Sequence, residues 1–99
     1  MAKAGSGVKT VEKLKARTTQ FKITMPKAKR VSVAGSFNNW DTNSLLAKKD
    51  TKGIWTVKAN LTPGTYEYKF FVDGSWINDP ESRAVYNSYG TQNSVIEVK

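Results

Sequence analysis

The chain has 99 residues with a formal net charge of +8, and it contains neither cysteine nor histidine. This length, with 38% hydrophobic residues, is typical of one small folded domain. The missing residue types exclude disulfides, thiol or imidazole catalysis, and zinc sites built from cysteine or histidine. No apolar run approaches the roughly 20 residues that a membrane-spanning helix requires, so we expect no membrane partner.

The positive charge is concentrated at the N-terminal end. Residues 1–30 contain nine basic residues and one acid, whereas residues 31–99 contain seven of each. Residues 1–18 also lack aromatic side chains, so we predict a flexible basic tail over 1–18 and a folded module over 19–99. The chain shows no apolar segment of the kind found in secretory signals, which favours a cytoplasmic localisation.

From residue 19 onward apolar and polar residues alternate with a period of two, which is typical of half-buried β-strands. The alternating apolar residues are Phe21 and Ile23; Val31 and Val33; Trp55, Val57, Ala59 and Leu61; and Tyr66, Tyr68, Phe70 and Val72, followed by a β-branched segment at 94–98. Turn signals stand at 50–53, 62–64 and 73–74, and the last is an Asp-Gly pair typical of a two-residue hairpin. Strands at this spacing predict an all-β sandwich, and the phase of the alternation assigns Trp55 to its core.

Three polar segments carry aromatic residues and are the candidates for a binding surface. They are residues 35–41, 68–76 and 87–93, which contain Trp40, Trp76 and Tyr89 beside amide, hydroxyl or ammonium side chains. A pyranose ring presents flat C–H patches that an aromatic face can cover, and a rim of hydroxyls that both donate and accept hydrogen bonds. This combination favours a sugar-binding platform formed by the two indoles with nearby Asn and Lys side chains.

The same segments resemble a known family. The matching pieces, in chain order, are residues 33–40 (VAGSFNNW), Pro63-Gly64, residues 66–74 (YEYKFFVDG), Trp76, Asp79-Pro80, Gly90-Thr91, Asn93 and residues 95–98 (VIEV). In this order and spacing they resemble carbohydrate-binding module family 48, in particular the glycogen-binding domains of AMP-activated protein kinase β subunits. The resemblance covers about four-fifths of the chain and omits the basic tail.

The resemblance implies an immunoglobulin-like β-sandwich that binds α-1,4-glucans (glycogen, starch and maltooligosaccharides) and has no catalytic activity. In the family's binding members two tryptophans stack on successive glucose rings, and Trp40 and Trp76 stand at these positions. The hydroxyl-binding Lys, Thr and Asn of the family match Lys69, Thr91 and Asn93. No cofactor and no metal are implied, and the partners implied are an α-glucan and a larger parent enzyme or kinase complex.

Position 89 departs from the family pattern. The kinase modules usually carry a leucine that protrudes towards the glucan, whereas this chain carries Tyr89. A tyrosine could stack on a further glucose ring and widen the surface, or it could obstruct a curved ligand. The sequence leaves both outcomes open.

Three other functions are compatible with parts of the sequence. Nucleic-acid binding would use basic charge and exposed aromatics, but Asp41, Asp73 and Asp79 in the aromatic loops would repel phosphates. A glycosidase needs a carboxylate pair across a cleft, whereas these aspartates stand at turn-like positions where Asp bonds the local backbone. A protein-interaction or scaffold sandwich without sugar binding is the main alternative, because a fold does not decide a function.

Overall fold

The computed structural model describes residues 15–99, so residues 1–14 of the predicted tail lie outside the described part of the chain. The strands are β1 (Arg17–Thr24), β2 (Val31–Gly35), β3 (Lys48–Lys49), β4 (Ile54–Leu61), β5 (Gly64–Val72), β6 (Ser75–Ile77), β7 (Arg83–Tyr86) and β8 (Gln92–Val98). Strand β1 therefore begins two residues before the predicted start of the module at 19. Residues 15–99 contain no helix, and so none that is long and apolar enough to cross a membrane.

Two antiparallel sheets pack face to face. The first has the strand order β1-β4-β3, and the second has the order β2-β5-β8-β7, with β6 paired to β5. The chain changes sheets between β2 and β3: Val33 N–H donates to the Leu45 carbonyl at 3.0 Å and Ala47 N–H to the Val31 carbonyl at 2.9 Å, after which β3 pairs with β4. The predicted all-β, immunoglobulin-like sandwich is confirmed.

The core lies between the inner faces of the two sheets, where the alternation predicts it. Its buried cluster consists of Phe21, Ile23, Trp55 and Leu61 from the first sheet and Val31, Val33, Tyr68, Phe70, Val72 and Val98 from the second. Trp55 is buried as predicted, and its indole N–H donates to the Met25 carbonyl at 2.9 Å. A buried indole whose N–H is satisfied contributes to stability and is not available to a ligand.

Strand β2 departs from the predicted alternation, because every residue of Val31–Gly35 is buried. Ser32 and Ala34 point to the outer face of the second sheet, opposite to the core. They pair across the sheet with Phe71 and Lys69, whose larger side chains stand beside them and shield them from water. This burial depends on a neighbouring strand, which a local sequence pattern does not contain.

The Asp-Gly pair forms the predicted two-residue hairpin between β5 and β6. Asp73 and Gly74 have φ values of 47° and 86°, the left-handed backbone that a type I′ turn requires at both central positions. The Asp73 carboxylate also accepts hydrogen bonds from the Lys29 and Arg30 N–H groups, at 3.0 and 2.8 Å. The hairpin is thereby tied to the segment that precedes β2.

The outer face of the second sheet positions the candidate site. Side chains alternate along β5, so Lys69 and Phe71 lie on the outer face while their neighbours enter the core. Strand β6 pairs Trp76 with Phe71, and β8 places Asn93 on the same face. Three of the candidate residues thus reach one face from three adjacent strands.

Candidate functional site

A concavity of about 450 Å³ opens on the outer face of the second sheet. Its lining residues are Trp40, Lys69, Trp76, Asn87, Tyr89, Thr91 and Asn93. All six residues proposed from the sequence therefore lie around one concavity, although they come from three separate segments of the chain. Asn87 is the additional member.

The two indoles form the apolar wall of this concavity. Trp40 is 37% exposed and Trp76 is 47% exposed, and their ring centroids are 6.2 Å apart. The ring planes meet at 72°, so the indoles contact edge to face and form a bent surface. Phe71 supports Trp76 from below, with its ring centroid at 4.8 Å.

The loop after β2 presents Trp40 through an unusual backbone. Asn39 and Trp40 have φ values of 56° and 58°, a left-handed conformation that a bulky side chain rarely adopts. The Asn38 side chain holds this turn: its Oδ1 accepts from the Gly35 N–H at 2.9 Å, and its Nδ2 donates to Ser44 Oγ at 2.9 Å. Trp40 N–H itself donates to the Gly35 carbonyl at 3.0 Å. The indole is therefore oriented by hydrogen bonds inside the loop.

The loop between β7 and β8 is organised by Asn87. Its Oδ1 accepts from the N–H groups of Tyr89 and Thr91 at 3.0 and 3.2 Å, and its Nδ2 donates to Thr91 Oγ1 at 2.7 Å and to Asn93 Oδ1 at 3.1 Å. Sequence reasoning missed Asn87. The available signal was an Asn at the start of a polar loop three residues before a glycine, a pattern typical of a side chain that bonds its own turn.

Asn93 is held on its other side by a carboxylate. Its Nδ2 donates to Glu67 Oε1 at 2.9 Å, and Asn93 is only 6% exposed. Glu67 precedes Lys69 by two residues on β5 and therefore lies on the same outer face. Tyr89, in contrast, is 89% exposed, so its ring stands out from the loop at the rim of the concavity.

The three aspartates of the aromatic loops accept hydrogen bonds from the protein itself. Asp41 and Asp79 bond N–H groups of their own turns, as the sequence predicts, whereas Asp73 bonds the distant segment before β2. Asp41 Oδ1 accepts from the Asn43 N–H at 2.8 Å, and Asp79 Oδ1 accepts from the Glu81 N–H at 2.9 Å. The second Asp79 oxygen accepts from the Tyr68 hydroxyl at 2.7 Å. Burial of the phenol and the neighbouring Asp79 carboxylate raise the pKa of Tyr68 above its ordinary value, so the phenol remains a donor. These carboxylates stabilise loops and do not line the concavity.

Comparison with known proteins gives a consistent result. Residues 17–99 match the family described as the glycogen recognition site of AMP-activated protein kinase. The chain is 42% identical over 71 residues to subunit beta-2 of mouse AMP-activated protein kinase, covering 72% of this chain and 26% of that protein. It is 42% identical over 84 residues to the cattle beta-1 subunit, and 40% identical over 84 residues to the human beta-1 subunit. Each of these two matches covers 85% of this chain and 30% of the relative.

Proposed function

The chain belongs to the glycogen-recognition family of AMP-activated protein kinase, and we propose that it binds α-1,4-glucan without catalysing a reaction. In this proposal Trp40 and Trp76 stack on glucose rings. Lys69, Thr91 and Asn93 bond sugar hydroxyls, and Tyr89 contacts the ligand at the rim.

One observation carries the proposal: two exposed indoles and three hydrogen-bonding side chains line the same concavity. Indole faces cover C–H patches at a low cost in conformational entropy, while ammonium, hydroxyl and amide groups complement the hydroxyl rim. Successive glucose rings of an α-1,4-linked chain are turned relative to one another. The 72° angle between the indoles therefore suits a curved glucan better than a straight one.

A shallow site of this kind supports modest affinity. Two or three stacked rings correspond to a Kd of roughly micromolar to millimolar, or about −4 to −8 kcal/mol. Glycogen and starch carry many equivalent chain segments, so attachment at several points would raise the apparent affinity.

Titration of intrinsic tryptophan fluorescence with maltoheptaose tests the proposal. We expect a saturable change, which the exposed Trp40 and Trp76 would report because the third indole, Trp55, is buried. A β-linked cello-oligosaccharide of the same length is the control, and we expect a flat response because its straight chain cannot follow the bent surface. A flat response to maltoheptaose up to tens of millimolar would favour the scaffold alternative instead.

The maltoheptaose affinity of a Tyr89 variant shows whether the phenol stacks on the ligand or obstructs it. We expect Tyr89→Ala to weaken maltoheptaose binding roughly three- to tenfold, because the loss of one partial ring contact is worth about 0.7–1.4 kcal/mol. Tyr89→Leu, which restores the family's usual residue, serves as the matched variant. Tighter binding by Tyr89→Ala would mean that the phenol obstructs the ligand.

The relatives are kinase subunits, and this chain spans about a quarter to a third of their length. We propose that the module serves to bring a larger parent protein, such as a kinase complex, to glucan. The cytoplasm is a compartment in which the module would encounter stored glycogen, and this localisation stays a prediction.

A further inference from the structure

We propose that Asn87 is a positioning residue that fixes which hydrogen-bonding groups the site offers to its ligand, and that Glu67 anchors this arrangement from the other side. The inference deepens the proposed glucan-binding function and rests on it. It concerns two residues that contribute through other side chains: Asn87 at the wall of the concavity and Glu67 outside its lining.

Asn87 reaches every candidate residue of its loop. Its side chain accepts from the backbone of Tyr89 and Thr91, and donates to the side chains of Thr91 and Asn93. Two further backbone bonds close the same turn: the Asn87 N–H donates to the Thr91 carbonyl at 2.8 Å and the Gly90 N–H donates to the Asn87 carbonyl at 3.3 Å. One amide therefore sets the position of three residues that face the proposed ligand.

The hydrogen bonds from Asn87 also determine whether Thr91 and Asn93 can donate to a ligand. Thr91 Oγ1 accepts from Asn87, which leaves its own hydroxyl proton available to a ligand in the concavity that Thr91 lines. Asn93 uses its Oδ1 to accept from Asn87 and one Nδ2 proton to bond Glu67, which leaves its second Nδ2 proton. Both side chains thus face the concavity as donors.

Glu67 fixes the orientation of the Asn93 side-chain amide. A carboxylate only accepts hydrogen bonds, so the Asn93 amide must turn its NH₂ group to Glu67 and its oxygen to Asn87. Reversing the amide would set two oxygens against each other at Glu67 and two NH₂ groups against each other at Asn87. Because Asn93 is buried, such unpaired groups would lack compensation from water.

These donors determine which groups of a ligand the site can bond. With the Lys69 ammonium, which only donates, the site presents three donors beside the indole wall. It therefore recognises the oxygens of sugar hydroxyls as acceptors, and the hydroxyl protons of the ligand bond water or other sugar oxygens. A ligand in which a protonated amino group replaces the contacted hydroxyl would set donor against donor and bind weakly.

Asn87→Asp is the sharpest test, because it removes the donor of residue 87 and keeps the size of the side chain. The new carboxylate still accepts from the Tyr89 and Thr91 N–H groups, so the turn is retained. It cannot donate, so the Thr91 hydroxyl turns its proton to residue 87 and away from the ligand. We expect Asn87→Asp to weaken maltoheptaose binding about tenfold, or about 1.4 kcal/mol. We also expect a lower melting temperature, because the new carboxylate oxygen faces the buried Asn93 Oδ1 that Asn87 bonds.

A double-mutant cycle with Thr91→Val separates positioning from general support of the loop. If Asn87 acts through the Thr91 hydroxyl, the double variant loses less affinity than the product of the two single losses. Asn60→Asp, on the exposed face of β4, is the control for added charge and should bind like the original chain. Glu67→Ala should weaken binding at least threefold, although Glu67 does not line the concavity.

The outcomes are distinguishable. An original chain that does not bind maltoheptaose overturns the proposed function and this inference together. An original chain that binds, with Asn87→Asp and Glu67→Ala of unchanged affinity, overturns the inference alone. Losses that multiply in the cycle, together with an unchanged affinity of Glu67→Ala, also overturn it, because neither Thr91 nor Asn93 would then transmit the effect of Asn87. If Asn87→Asp is unfolded at the temperature of the binding assay, the Glu67→Ala affinity decides.

Discussion

Trp76→Ala is expected to remove measurable binding of maltoheptaose while leaving the fold intact. Trp76 is 47% exposed, and it contacts Trp40 and Phe71 on the outer face of the sheet and not the core between the sheets. A glucose ring that covers roughly 60–100 Å² of apolar indole surface contributes about 1.5–2.5 kcal/mol at about 25 cal/mol per Å². Such a loss is roughly 10- to 70-fold in Kd, enough to move a weak site beyond detection.

The control for this variant is Tyr86→Ala. Tyr86 is also an exposed aromatic residue, at 78%, but it does not line the concavity. Isothermal titration with maltoheptaose and retention on glycogen should separate the two variants, while circular dichroism melting should show both folded. Equal retention of Trp76→Ala and the original chain on glycogen would contradict the assignment of Trp76 to the site.

Gly35→Ala is expected to have the largest effect on stability of any single methyl group added near the site. A Cβ atom at Gly35 would overlap the Glu67 carbonyl oxygen, and would lie 2.7 Å from Phe37 Cε2 and 2.8 Å from Tyr68 Cβ. The Glu67 carbonyl cannot give way easily, because it belongs to the central strand β5 and accepts the Ser36 N–H at 2.9 Å. Overpacking against backbone should cost about 3 kcal/mol.

Thermal unfolding followed by circular dichroism measures this cost. For a domain of this size, about 3 kcal/mol lowers the melting temperature by roughly 12–24 °C. Gly74→Ala is the matched control: its added Cβ meets nothing within 4 Å, so only the left-handed backbone, at φ 86°, opposes it. We expect about 1–2 kcal/mol there. If both variants melt at the same temperature, the close approach of β5 to Gly35 does not explain the destabilisation by Gly35→Ala.

Gly35 also connects stability to the site. It accepts the Trp40 N–H and donates its own N–H to Asn38, so it forms the base of the loop that presents the indole. Across the sheet its partner is Tyr68, whose neighbour Glu67 bonds Asn93. The absence of a side chain at position 35 therefore lets the loop and β5 approach closely enough to bring both halves of the concavity together.

Features that depend on near neighbours in the chain can be predicted from the amino-acid sequence. Alternation along Phe21–Ile23 and Tyr66–Val72 predicts strands and their buried faces, because side chains of a strand point alternately to its two sides. The Asp73-Gly74 turn is predictable because both residues tolerate a left-handed backbone. The residue pattern alone favoured a site formed by Trp40 and Trp76 with nearby polar side chains. The hydrogen-bonding roles of Lys69, Thr91 and Asn93 came from resemblance to a family, which carries tertiary information that a local pattern lacks.

How those residues come together depends on contacts between distant segments of the chain. The 72° angle between the indoles depends on the left-handed turn at Trp40 and on the register of β6 against β5. The turn at Trp40 and the β5–β6 hairpin lie far apart in the chain. The bond between Asn93 and Glu67 joins residues 26 positions apart, and no local pattern specifies it. Packing between distant segments sets the angle between the indoles, which gives the concavity its bent wall. Hydrogen bonds between distant segments orient the side chains that serve as its donors.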